Sequence, residues 1–434
     1  MDRYALFEAY PGLAARLPRL PLGSWPTPLV AAPKLAAAAG LPFDLYVKRD
    51  DLSSAVYGGN KVRKLELLLA PKAGGRRLVV TAGGLGSNHV VATAALASRV
   101  GLRTRGLLFC QPVTAQVRRN LLAAVALGAD LRWVKDYPGV VAGYLAAIGE
   151  GLVADGRPPY VLMPGGSNAR SSVGYLNAVL ELAKQLREAG QPDPAAIFLP
   201  GGTGGTAAGV LAGVALAGLD TVVVAVRVVS ANLLPEPKIR DLAAATLRLL
   251  ARREPEIGRQ LAKTGTLGRL AKPGAGGLFA LEGGHVGEAY GFATSEGRAA
   301  VDLAWATEGL KLETTYTGKA LAALLAAAGG PAGGAGPARP GPAPAGPAPA
   351  DPAPEPPWLA RAASGRPVVF LNTFSSADPA GVVVGTEPAD LVARVPEPLR
   401  WCFDRPRRDC RCTLAGQSRP FCEAVRSRDG WEWG

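Results

Sequence analysis

An α/β fold with parallel-rich sheets flanked by helices follows from three observations in this 434-residue chain. From Leu45 to about Leu325, short apolar runs alternate with Ala/Leu-rich helical stretches, the pattern of βαβ units. Glycine-rich turns fall where the apolar runs end, and such sheets gather ligands at the carboxyl ends of their strands. Apolar residues make up 48% of the chain, enough for the core of one large domain or two smaller ones.

The strands expected from apolar runs are 78–81, 105–109, 160–163, 196–199 and 221–229. The helices expected between them are 61–69, 89–100, 115–127, 174–189 and 207–217. Residues 195–219 carry no charge and match the length of a membrane span. Pro200 and the run from Gly201 to Thr206 would break such a helix, so a buried strand, a glycine turn and a buried helix are expected. From about Gly329 to Pro357 the chain is dense in Pro, Ala and Gly, a composition that cannot repay the entropy of ordering, and it reads as an insert over 329–357. The apolar run 367–371 then returns as the last strand of the preceding sheet, ending in Asn372-Thr373-Phe374-Ser375-Ser376. A catalytic domain over 1–395 and an Arg/Cys-containing extension over 399–434 complete the plan.

The formal net charge of +13 is scattered, not gathered into an aromatic-studded stripe. It reads as solubility and weak anion affinity, so no nucleic-acid partner is expected. Met1-Asp2-Arg3-Tyr4 lacks the basic-then-apolar layout of a signal peptide, which points to a cytoplasmic protein with no membrane partner. Cys110 sits alone in an apolar run and reads as an inert core residue. Cys402, Cys410, Cys412 and Cys422 crowd the tail with a spacing unlike familiar zinc sites, so neither a disulfide framework nor a metal is expected.

Four motifs carry chemistry. In Gly58-Gly59-Asn60-Lys61, glycines ahead of a helix let a ligand approach, and a desolvated lysine amine can condense with an aldehyde or shuttle protons. The rival reading is an ordinary turn followed by a solvated basic face, since Arg63 and Lys64 follow. Gly86-Ser87-Asn88-His89 offers hydroxyl, amide and backbone N–H groups at a helix start, suited to a carboxylate or to a plain N-cap. The loop Gly201-Gly202-Thr203-Gly204-Gly205-Thr206 between strand and helix is built as a phosphate cradle. It also matches GxGxxA from Gly202 to Ala207, but the next strand offers Arg227 and Ser230 where a dinucleotide site wants an acid. Tyr290 and, in the run from Thr314 to Ala320, Tyr316 lie beside glycines and would alone read as core packing.

Taken in order, these segments resemble the 1-aminocyclopropane-1-carboxylate deaminase/D-cysteine desulfhydrase family of fold-type-II pyridoxal-phosphate enzymes. The likeness runs from about Pro26 to Leu325 and resumes near Val368. Its most specific pieces are KRDD…GGNKVRKLE, the SNH loop, PGGSN…GYLNAVLEL and YTGKA. The resemblance implies a two-lobed, tryptophan-synthase-beta-like fold, with a small lobe over about 63–175 and the remainder as the large lobe. It also implies pyridoxal 5'-phosphate as cofactor, a small amino acid as substrate and a homodimer. It makes Lys61 the cofactor lysine, Ser87 the substrate-loop nucleophile or proton-transfer partner, and Tyr290 and Tyr316 active-site tyrosines. It sets Asn60 and Asn88 beside the cofactor and gives the phosphate to Gly202, Thr203, Gly204, Gly205 and Thr206.

Thr317 separates the branches. The deaminases look as though they carry glutamate there and the desulfhydrases threonine. A hydroxyl leaves the pyridine nitrogen nearer neutral than a carboxylate does, and that milder electron sink suffices to eliminate a thiol. A D-cysteine desulfhydrase-like β-elimination is therefore expected. Aminocyclopropanecarboxylate deamination is the alternative, and a NAD(P)-dependent oxidoreductase or a non-catalytic relative is more distant. The segment from Thr373 to Ser376 departs from the family's Thr-Gly-Gly and puts the substrate in question.

Overall fold

Two sheets organise the molecule, and within them each strand pair but one is parallel. The computed structural model describes residues 3–70, 76–329, 356–377 and 388–403, with the strands Arg411–Leu414 and Gln417–Pro420 described by backbone alone. The larger sheet contains β1 (Leu29–Ala31), β2 (Leu45–Lys48), β7 (Ala196–Gly201), β8 (Val222–Arg227), β9 (Phe279–Glu282) and β10 (Val368–Leu371). Its order is β1-β2-β10-β7-β8-β9, antiparallel only between β1 and β2. The smaller sheet contains β3 (Leu78–Gly84), β4 (Arg103–Phe109), β5 (Asp130–Trp133) and β6 (Tyr160–Val161), in the order β5-β4-β3-β6.

The α/β class with parallel-rich, helix-flanked sheets is what the alternation predicts. Every residue of β7 and β10 is buried, as expected of strands covered by helices on both faces. The strand expected at 367–371 forms as β10 and sits between β2 and β7. The uncharged stretch 195–219 resolves into β7, the glycine loop and the helix Gly205–Ala217. Four strands were not expected: β1, β2, β5 and β9. Three of them are sheet edges: β5 and β9 mix apolar with polar residues, and β1 is apolar but only three residues long. β2 ends in the buried Lys48, whose charge interrupts the pattern.

The helix Tyr137–Asp155, also not expected, is long and apolar enough to cross a membrane by length and composition. In this fold it connects β5 to β6 and buries Val140, Tyr144 and Ala147. Residues 330–355, most of the expected insert, lie outside the described residues, and its last residue opens a helix, Pro357–Ala363. Trp358 in that helix packs edge-on against Phe198 of β7, ring centres 5.1 Å apart.

The end of the expected 1–395 domain and the start of the expected extension pack on the smaller sheet and its helices. Arg394, ending the helix Pro388–Arg394, donates to the Val125 carbonyl, and Arg118 donates to the Cys402 carbonyl at 2.8 Å. Trp401 meets Trp133 edge-on. Of the rest of the extension only the backbone of the strands Arg411–Leu414 and Gln417–Pro420 is described, and the side chains of its last three cysteines lie outside the described residues. Cys110 is buried as expected but disulfide-bonded, which corrects the reading of an inert isolated thiol.

Candidate active site

Lys61 stands one residue into the helix Asn60–Leu68, whose entry needs Gly59 in a left-handed conformation (φ 87°). A side chain at Gly59 would meet the Thr373 carbonyl oxygen at 2.6 Å. Asn60 N donates to that same oxygen, and Gly58 N donates to Ser375 Oγ at 2.9 Å. The unusual segment after β10 therefore clamps the loop that presents Lys61.

Behind this helix lies a buried lattice of charges. Arg63 is 1% exposed and donates twice to Asp50, at 2.8 and 2.7 Å, and twice to Glu181, at 3.0 and 3.2 Å. Lys48 Nζ bonds Glu181 and Gln185, and Tyr175 donates to Asp50 at 2.7 Å. Nearby, Glu66 accepts from the backbone N–H groups of Leu22 and Gly23 and from the Trp25 indole. Paired and fully hydrogen-bonded, these charges can stay inside. KRDD and VRKLE are thus largely scaffold, and the solvated-face reading of Arg63 and Lys64 is wrong because both are buried.

Lys61 differs from that lattice. Burial lowers its pKa to about 8, and no carboxylate offsets the effect. Lys64 is held well below its ordinary value, first by burial and then by the charge of Lys61. Its amine donates to the Gly165 carbonyl at 2.6 Å and to Ser167 Oγ at 2.8 Å. Ser167 Oγ lies 2.6 Å from Thr203 Oγ1 and accepts from Gly205 N at 3.2 Å.

Gly204, at φ 89°, opens the helix Gly205–Ala217 and offers no side chain to cap it. A Cβ on Gly205 would reach within 2.9 Å of Lys64 Nζ. The Lys64 amine, which has no acidic partner, the hydroxyls of Ser167 and Thr203 and the start of that helix meet there, which is the donor set of an anion site. Asn60 Nδ2 donates to Thr206 Oγ1 at 3.1 Å and ties the Lys61 turn to this cradle. The residues fit a phosphorylated aldehyde: the cradle would take the phosphate and Lys61 the aldehyde carbon.

Ser87 caps the helix Asn88–Ser98 by accepting from Val90 N, which leaves its hydroxyl proton free to donate. Asn88 Oδ1 accepts from Tyr57 OH at 2.9 Å and from Asn120 Nδ2 at 2.8 Å, so the substrate loop is braced against the loop before Lys61. Tyr290 and Tyr316 share a 2.7 Å hydrogen bond between their hydroxyls. Burial pushes both phenols up, Tyr316 well above its ordinary value. Tyr316 faces Gly202 of the cradle and Tyr290 faces Gly84 at the end of β3, each 3.2 Å from where a Cβ would sit.

The fold therefore gathers all four motifs. The Thr317 hydroxyl is taken up by its own turn, accepting from Glu313 N at 2.9 Å. Glu313 caps that turn, accepting from the N–H groups of Thr315, Tyr316 and Thr317. The sequence reading gave no site role to Lys64, Ser167, Tyr57 or Asn120, because their relevance is purely spatial. His89, fully buried with neither ring nitrogen partnered, is kept neutral by burial and by Lys61 and Lys64.

Such a pocket suits an aldehyde that carries its own phosphate, and the fold around it is that of the fold-type-II pyridoxal-phosphate enzymes. The chain belongs to the family described as pyridoxal-phosphate dependent enzyme, whose model matches residues 20–336. That membership overturns the dinucleotide reading of Gly202–Ala207. The nocardicin C-9' epimerase of Nocardia uniformis subsp. tsuyamanensis is 41% identical over 238 residues, 54% of this chain and 70% of the relative. The D-cysteine desulfhydrase of Salmonella schwarzengrund is 33% identical over 315 residues, 71% of this chain and 88% of the relative. A putative 1-aminocyclopropane-1-carboxylate deaminase of Pyrococcus abyssi is 31% identical, covering 72% of this chain and 87% of the relative. The crystal structure of an ACC deaminase homologue superposes with a TM-score of 0.63 at 25% identity, over 91% of this chain and all of that one.

Proposed function

We propose that this protein is a pyridoxal-phosphate lyase that removes the β-substituent of a small amino acid, with D-cysteine the first substrate to test. The observation that carries the reading is the bond from Asn60 Nδ2 to Thr206 Oγ1, which ties the turn presenting Lys61 to the anion cradle, with the pKa of the Lys61 amine lowered to about 8 by burial and no carboxylate offsetting it. A base with that pKa is part neutral near pH 7–8 and suits abstraction of a Cα proton. Bound pyridoxal phosphate supplies the electron sink that stabilises the resulting charge at Cα.

In this reading Ser87 and the amides of its helix start hold the substrate carboxylate. Lys61 takes the Cα proton, and the Tyr290–Tyr316 pair delivers a proton to the departing sulfur. Cysteine then yields hydrogen sulfide and aminoacrylate, which water converts to pyruvate and ammonia. The catalytic domain is assigned to 1–395 with a small lobe of about 63–175, and the protein to a cytoplasmic homodimer.

One observation favours a second reading. The epimerase relative is more similar, over the part it shares, than either lyase relative. Epimerisation would use the same Lys61 step but return the proton from the opposite face, with Ser87 the candidate donor. The cofactor-loaded protein should release sulfide and pyruvate from D-cysteine. Interconversion of D- and L-amino acids without sulfide would replace elimination with epimerisation.

A further inference from the structure

We propose that Gln111 reads the substrate's side chain, accepting a hydrogen bond from a donor on its β-carbon. Gln111 lies just past β4, at the same strand ends that carry the site. It is 4% exposed, yet its Oε1 is buried without a hydrogen-bond partner. A leucine or methionine would fill this space without stranding a polar atom, so packing alone does not account for an amide there.

Its surroundings say what could satisfy it. A Cβ on Gly84 would come within 2.1 Å of Gln111 Oε1 and 3.2 Å of Tyr290 Cε1. A Cβ on Gly86 would come within 3.1 Å of Gln111 Nε2, and one on Gly291 within 3.6 Å of Gln111 Cβ. The amide is thus wedged between the turn leading to Ser87 and the segment carrying Tyr290. The proposed function, on which this inference rests for its substrate class, puts the β-substituent beside the tyrosine pair. A carboxamide oxygen there accepts from S–H, O–H or N–H and offers nothing to a methyl group. The class it selects is amino acids with a donor on the β-carbon.

The test titrates the cofactor-loaded protein by its visible absorbance, with serine and with 2-aminobutyrate, in both enantiomers. The two ligands have nearly the same shape, but only serine carries a β-donor. Wild type should bind serine of the accepted hand about tenfold more tightly. Gln111→Leu should bring the two dissociation constants together while leaving the ligand-free spectrum and 2-aminobutyrate binding unchanged. Gln111→Asn, one methylene shorter, should lose most of the preference and serves if the leucine variant fails to fold.

A wild type without preference, or a preference that survives substitution, overturns the proposal, as does failure to bind either ligand. Retained discrimination in a protein that releases no sulfide from D-cysteine sinks the lyase reading and leaves this one standing.

Discussion

At the scale of single residues, what distinguishes Lys61 from the buried Lys48 is the company it keeps. Lys48 is compensated by Glu181, whereas Lys61 has nothing to oppose the cost of burial. Only the neutral amine attacks an aldehyde, so capture of pyridoxal phosphate should accelerate as pH rises and level off above about 8. A stopped-flow pH profile that keeps climbing to 10 would mean an ordinary solvated lysine. Lys61→Ala should lose the visible absorbance band of the cofactor-loaded protein, read in a spectrum after dialysis. Tyr316→Phe breaks the hydroxyl pair and should lower kcat by roughly 10²-fold or more with the cofactor retained. Local sequence flagged these residues because each stands near glycine at a helix start. Lys64 and His89 were invisible by the same logic. One looks like a surface charge and the other like a helix residue until the Gly165–Ser167 turn is folded against them.

Elements raise a different question, namely how a short helix after a glycine pair is held rigid enough to aim an amine. Arg63 answers it, binding Asp50 and Glu181 from the buried face of the Asn60–Leu68 helix. Arg63→Leu would leave two buried carboxylates short of their counter-charge and should cost about 3–5 kcal/mol, measured as a lower urea midpoint. An unchanged midpoint would mean that water reaches the lattice. The helices and central strands were legible because burial on both faces writes long apolar runs. The edge strands β1, β5 and β9 were not, since one side of each answers to solvent, and DLRW in β5 reads as readily as a loop.

For the whole molecule, residues 388–403 form a strap that follows the larger sheet in sequence yet packs on the smaller one. Leu391, Val395, Leu399 and Cys402 are buried there. Ending the chain at residue 387 should uncover the Ala115–Ala126 helix and lower the melting temperature by several degrees. Buried side chains of that size are each worth about 1.5–3 kcal/mol. Composition alone could not show this, because the strap's few apolar residues find their partners hundreds of positions away. The proposed dimer also belongs at this scale. Tyr137, Leu145 and Val153 stand exposed on one long helix, and light scattering should give twice the mass of one chain. Leu145→Glu should shift the protein toward the monomer if that helix makes the contact.

The position of β10 carries a consequence for synthesis on the ribosome. Until residue 371 has emerged, β2 and β7 have no neighbour between them, so the larger sheet has a gap at its centre. Nascent chains stalled before that point should be captured by holdase chaperones and readily digested by protease. A backbone nick introduced between Gly329 and Pro356 in the finished protein should instead leave two pieces that co-elute, with one threaded through the middle of the other's sheet.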